Sequence, residues 1–145
     1  MIYLKQVTVE SISEVIALEV GEDQKNTVLA NVVSLAQAYV QPECRPRAIY
    51  HDDTLVGFLM YCIDRDDNEY WLYRLMIDKK FQRKGFARKA IQLLIEDLKK
   101  SDPDRRNIYL GVNEDNMSAI QFYLSLDFKF NDQIFGKERI MVLEY

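Results

Sequence analysis

The sequence predicts an α/β domain built on a mixed sheet. Three observations point there: β-like apolar runs near both ends and in the middle of the chain, amphipathic stripes at helical spacing between them, and no internal repeat, linker or low-complexity segment. The elements read β-α-α-β-β-β-α-β-α-β-β over residues 1–145, one domain of ordinary size.

Residues 2–7, IYLKQV, alternate as a strand, and Thr8 or Ser11 can cap the helix that follows. In that helix Ile12, Val15, Ile16 and Glu19 are helically spaced, with the apolar members on one face. VGEDQKN (20–26) breaks the pattern, after which Val28, Leu29, Val32, Val33 and Ala36 form a second amphipathic stripe. PECRP (42–46) is expected to be a loop, because its prolines deny a helix any continuation. The runs RAIYH (47–51), TLVGFLMYCI (54–63) and EYWLYRLMI (69–77) are strand-like. Asp52–Asp53 and DRDDN (64–68) separate them as turns, so the three read as an antiparallel meander. From Gly85 the period becomes helical, with Ala87, Ile91, Leu94 and Leu98 on one face, and KSDPDRR (100–106) ends the helix. IYLGV (108–112) is a short strand. MSAIQFYLSL (117–126) is a helix with Asn116 as its cap, and FKFND and RIMVLEY supply the last two strands.

With 48% hydrophobic and 29% charged residues the chain is globular rather than disordered. Charged residues interrupt every apolar run well before the ~20 residues of a membrane span. MIYLKQVTVE lacks the basic and apolar regions of a signal peptide. Cys44 and Cys62, with a single histidine and no CxxC, exclude the common zinc patterns, so no metal is expected. Two reduced thiols fit a cytoplasmic protein. His51, beside Asp52 and Asp53 in a turn, reads as a solvated side chain.

Charge is distributed unevenly. Residues 79–89, KKFQRKGFARK, hold six Lys or Arg and no acid, while the remainder has 13 basic against 23 acidic residues, a net charge of −10. This stretch joins a strand ending near Asp78 to a helix beginning near Gly85. The first N–H groups of such a helix have no partners, its dipole is positive there, and glycine removes a Cβ that would hinder an anion. Phosphate oxygens suit that place, with Arg83, Lys84, Arg88 and Lys79 or Lys80 around them. The stretch is neither a P-loop, lacking GK[ST], nor a three-glycine dinucleotide fingerprint. On residue types alone a solvated, lysine-rich helix start explains it equally well. A nucleic-acid patch fits poorly, because the acidic remainder repels a long polyanion.

A second stretch breaks the tie. LMIDKKFQRKGFARKAI resembles the acetyl-CoA-binding motif of the GNAT N-acetyltransferase superfamily, an Arg or Gln, two residues, a Gly, one residue, then Gly or Ala. Here it reads Gln82-Arg83-Lys84-Gly85-Phe86-Ala87. Residues 116–123, NMSAIQFY, with Phe128 beyond them, are similar to the family's second motif at the expected distance. The resemblance extends over nearly the whole chain. WLYRLMID, the N-terminal helix pair and the ending FKFND…GKERIMVLEY most resemble bacterial spermine/spermidine acetyltransferases.

The resemblance implies the GNAT fold, a mixed, mostly antiparallel sheet of six to seven strands flanked by four helices. It implies that backbone N–H groups of Gln82, Arg83, Lys84, Gly85, Phe86, Ala87 and Arg88 hold the pyrophosphate of acetyl-CoA. Leu75, Met76 and Ile77 then pair their backbone with the pantetheine arm like an added strand, which requires the strand at 108–112 to splay away. Asn116 either touches the cofactor or caps its helix. The family's acid falls on Tyr123, which would protonate the departing thiolate; a core aromatic is the plain alternative. With a tyrosine pKa of about 10 against about 8.5 for a thiol, such an acid is protonated at neutral pH yet able to donate. The acceptor amine, about one part in a thousand neutral at pH 7, needs a base or water chain. Related polyamine enzymes carry a carboxylate where this chain has Tyr73, so Glu69, Glu22 or Asp23 is the candidate substitute. Two further departures are Ser125, where a basic residue is common, and Asp127, in place of the usual glycine.

The expected activity is acetyl transfer from acetyl-CoA to a primary amine of a small polycation, spermidine or spermine first. The alternatives are a protein or aminoglycoside amine, or an acetyl-CoA-binding module without chemistry. Homodimers are frequent in the family, although no residue here marks an interface.

Overall fold

The computed structural model describes residues 1–25 and 29–145. Its strands are β1 (Ile2–Gln6), β2 (Cys44–His51), β3 (Thr54–Ile63), β4 (Tyr70–Ile77), β5 (Asn107–Asn113), β6 (Lys129–Phe135) and β7 (Glu138–Glu144). Its helices are α1 (Ile12–Ala17), α2 (Asn31–Val40), α3 (Phe86–Ser101) and α4 (Met117–Ser125). The order along the chain is the one the apolar periodicities predict.

The strands form one sheet in the order β1-β2-β3-β4-β5-β7-β6. Every neighbouring pair is antiparallel except β4 and β5. Helices cover both faces. Against α3 and α4 pack Leu59, Leu72, Ile108, Leu110 and Phe128, meeting Ile91, Leu94 and Leu98 of α3 and Ile120 of α4. On the other face Val15 of α1 and Leu35 and Ala38 of α2 close over Ala48, Phe58, Met60 and Cys62. Because β3 is covered on both sides, TLVGFLMYCI is almost continuously apolar rather than alternating.

Two local expectations are corrected. Residues 44–46 continue β2 instead of forming a loop, and Pro46 stands opposite Met60 of β3. The β1 register ends at Gln6 opposite Arg47, so the β1 side of the strand has no neighbour at Pro46 to miss an N–H. In α2 the expected stripe faces outward: Leu29, Val32 and Val33 are each nearly half exposed, and Ala36 is exposed. Asn26 and Val28 lie outside the described residues. The buried positions are Asn31 and Ser34, with Leu35 and Ala38 half-buried, which is the helical period turned to a different phase. Asn31 fits that phase, its side-chain amide donating to the Val15 carbonyl at 2.9 Å and lying 3.7 Å from the Met76 sulfur. α1 likewise buries Val15 alone, leaving Ile12 and Ile16 about 40% exposed.

Cys44 and Cys62 are both buried and face each other across β2 and β3 as free thiols. Among the described residues no helix is long and apolar enough to cross a membrane, and no group of His, Cys, Asp and Glu is placed to hold a metal ion.

Candidate active site

The parallel pair β4–β5 is joined only at Tyr70–Ile108 and Trp71–Tyr109. Beyond those residues β5 stays with β7 along its whole length, and β4 stays with β3 as far as Ile77. The two strands therefore diverge, and residues 72–77 have no strand neighbour on the β5 side. This is the splay that an added strand of ligand backbone requires.

At the end of β4 the chain turns sharply into α3, and buried Asp78 organises that turn. Its carboxylate accepts from the Lys80 N–H at 2.9 Å and the Glu19 N–H at 3.0 Å, while the Lys79 N–H donates to the Glu19 carbonyl at 2.7 Å. The Gln82 amide reaches back to the Ile77 carbonyl at 2.9 Å and to Gln24 Oε1 at 2.8 Å. Arg83 and Gly85 both take positive φ, 65° and 80°, immediately before the helix. A Cβ built on Gly85 would find nothing within 4 Å, so the space beyond this glycine is open. The Phe86 ring is buried against the imidazole of His51, 4.7 Å between centroids. His51 packs against the helix start on one side while 43% of its side chain stays exposed to solvent.

A cleft of about 970 Å³ runs from this turn along the open side of β4. Leu75, Met76 and Ile77 form one wall; Gln82, Arg83, Gly85, Phe86, Ala87 and Arg88 form its basic end. Asn116 and Tyr123 face it from α4, and Asp23 borders it from the loop after α1. Lys84 is exposed outside the cleft. Ala119 and Phe122 were not anticipated; they share the helical stripe of Asn116 and Tyr123, and that spacing is the signal that would have found them. Asn113, Gln24 and Val20 also line the cleft, and no local pattern announces them.

Asn116 caps α4, its Oδ1 accepting from the Ala119 N–H at 3.3 Å. The Tyr123 ring sits edge-on to Phe122 and Phe128, at 5.1 and 5.4 Å between centroids. Desolvation pushes the Tyr123 pKa above the usual tyrosine value, so the phenol is neutral near pH 7. Arg88 donates to Ser125 Oγ at 2.7 Å and ties the start of α3 to the end of α4. Asp127 adopts φ 73°, which explains a glycine preference at that position and its tolerance of Asp.

The other candidates lie apart from this cleft. Glu22 is exposed and paired with Lys25 at 2.8 Å, which lowers its pKa. Glu69 sits at the joined end of β4, its charge felt by Tyr109 and Tyr145. Tyr73 points to the opposite face, where its hydroxyl donates to Asp64 Oδ2 at 3.0 Å and burial raises its pKa.

The family model described as the acetyltransferase (GNAT) family matches residues 13–128. This chain belongs to that family. The acetyltransferase is 32% identical to the spermine/spermidine N(1)-acetyltransferase of Bacillus subtilis strain 168, over 99% of this chain and 98% of the relative. It is 33% identical, with the same coverage, to a probable spermine N(1)-acetyltransferase of Bacillus subtilis subsp. natto. Among solved structures, the PaiA N-acetyltransferase of Thermoplasma acidophilum in complex with coenzyme A superposes with a TM-score of 0.74, covering 100% of this chain and 99% of that one at 17% identity. The spermidine N-acetyltransferase of Vibrio cholerae in complex with CoA and spermine gives 0.73, covering 99% and 95% at 16% identity.

Proposed function

We propose that this acetyltransferase moves an acetyl group from acetyl-CoA to a primary amine of a small polycation, spermidine or spermine first. The observation that carries the reading is the cleft itself, with an anion-seeking helix start at one end, an unpaired stretch of β4 along it and a neutral tyrosine facing it. The two Bacillus subtilis relatives, matched over their whole length, direct the choice of amine.

The residues present fit the cosubstrate. A 16-residue helix offers its N-terminal N–H groups behind Gly85, where no Cβ intrudes, with Arg83 and Arg88 alongside for a pyrophosphate. Acetyl-CoA supplies an activated acyl thioester. The backbone of Leu75, Met76 and Ile77 provides the amide groups that align an extended arm and stabilise developing charge on oxygen. Tyr123, neutral at pH 7, delivers a proton to the departing sulfur. The amine must shed its own proton before attack, at about 4 kcal/mol for a pKa near 10 at pH 7.

The test is free-thiol release from acetyl-CoA with spermidine, spermine, an aminoglycoside or a lysine peptide as acceptor. Turnover with the polyamines and with neither of the others is expected. Release with the peptide or the aminoglycoside instead would replace the acceptor, and saturable CoA binding without release from any of them would leave a binding module.

A further inference from the structure

Ser125 is the last residue of α4 and lies outside the cleft lining, yet it holds a residue that belongs to it. The Arg88 guanidinium donates from Nη2 to Ser125 Oγ at 2.7 Å and from Nη1 to the Ser125 carbonyl at 3.4 Å. The Ser125 hydroxyl spends its one proton on the Phe122 carbonyl at 2.6 Å, so its lone pairs are left for the guanidinium. Both contacts fall at the carbonyl end of a helix, where a cation is favoured.

Arg88 occupies the third position of α3, inside its first turn. A cation there opposes the positive end of that helix's own dipole. No acid offsets it. The first turn of α3 contains none, and among the described residues no carboxylate pairs with Arg88. The guanidinium is therefore kept, un-neutralised, at the basic end of the cleft by two bonds to the end of α4.

We propose that Ser125 is a positioning residue for cosubstrate binding: it fixes Arg88 so that the guanidinium presents its remaining N–H groups to the pyrophosphate. The inference rests on the acetyl-CoA reading above. A guanidinium has five N–H donors, and Ser125 engages two of them, so three stay available for phosphate oxygens. Holding the planar fork in advance spares binding the rotamer entropy that a loose arginine would lose. An anion arriving there also relieves the opposition between Arg88 and the dipole of α3.

The test is calorimetric titration of CoA and of 3′-dephospho-CoA, with no acceptor present, so its outcome does not depend on the identity of the amine. Ser125→Ala is expected to raise the Kd for CoA about threefold, as for one exposed hydrogen bond lost, at an unchanged melting temperature. Ser125→Thr keeps the hydroxyl and the wild-type Kd. The loss in Ser125→Ala is equally large with 3′-dephospho-CoA, which retains the pyrophosphate. In an Arg88→Ala background, itself weaker than the wild type, Ser125→Ala has no further effect. An unchanged Kd in Ser125→Ala, or a loss of the same size without Arg88, overturns the positioning role and leaves the acetyl-CoA reading standing. So does a loss seen with CoA and absent with 3′-dephospho-CoA. No saturable CoA binding by the wild type overturns both.

Discussion

Tyr123 faces the cleft with its ring clamped between Phe122 and Phe128, so only the hydroxyl distinguishes it from another packed aromatic. Tyr123→Phe keeps that packing and is expected to lower turnover by about a hundredfold, the usual worth of a general acid, with little change in CoA affinity. Steady-state kinetics beside CoA titration check this, and an unchanged rate removes Tyr123 from the mechanism. Gly85→Val is expected to act twice. A β-branched residue at φ 80° costs about 1–2 kcal/mol of stability, and its side chain fills the open space before α3, weakening CoA binding. Unaltered CoA affinity in that variant would leave the turn a purely structural one. Both residues were legible in the sequence, because each sits in a short motif whose chemistry is local. The partner of Tyr73 was not. Asp64 is nine positions away, and only the folding of the 64–68 turn back onto β4 brings it to 3.0 Å.

Elements divide in the same way. The runs whose period follows from one buried face, such as α3 and β7, agree with their expected limits, since nothing competes with the apolar pattern. α2 does not: Leu35 and Ala38 pack inward together with a buried, hydrogen-bonded Asn31, and Val32 and Val33 face out. Hydrophobic spacing registers period but not the worth of a satisfied buried amide. Pro46 was misplaced for a related reason: whether a proline breaks a strand depends on where the neighbouring strand ends. The α4 cap gives this scale its test. Asn116→Ala is expected to cost about 1 kcal/mol of stability through the lost bond to the Ala119 N–H, read from denaturant unfolding. If CoA affinity also falls, Asn116 serves the ligand as well as the helix; if stability is unchanged, the cap contributes nothing.

At the scale of the whole molecule, the acidic remainder around one basic turn was plain from composition, and the splay was required once an added strand was expected. A second hollow, of about 400 Å³ on the α2 face, was not legible, since its lining comes from α2, the β3–β4 turn, β4, β5 and the β6–β7 hairpin. Burial leaves a global signature in titration. It pushes Tyr70 and Tyr145 up to about 12 and Cys62 up to about 11, against ordinary values of 10 and 9. The unfolded chain therefore gives up these protons first, and stability, fully present below pH 9, is expected to fall from there to about pH 12. Melting temperatures across that range check the sign; a flat profile to pH 11 would contradict it. Within the sheet only four residues ladder β1–β4 to β5–β7–β6, and the rest of that union is side-chain packing beneath α3 and α4. A ligand gripping β4, the α3 turn and α4 together would brace two halves that backbone pairing leaves largely unlaced, so its binding is expected to slow amide exchange along 72–77.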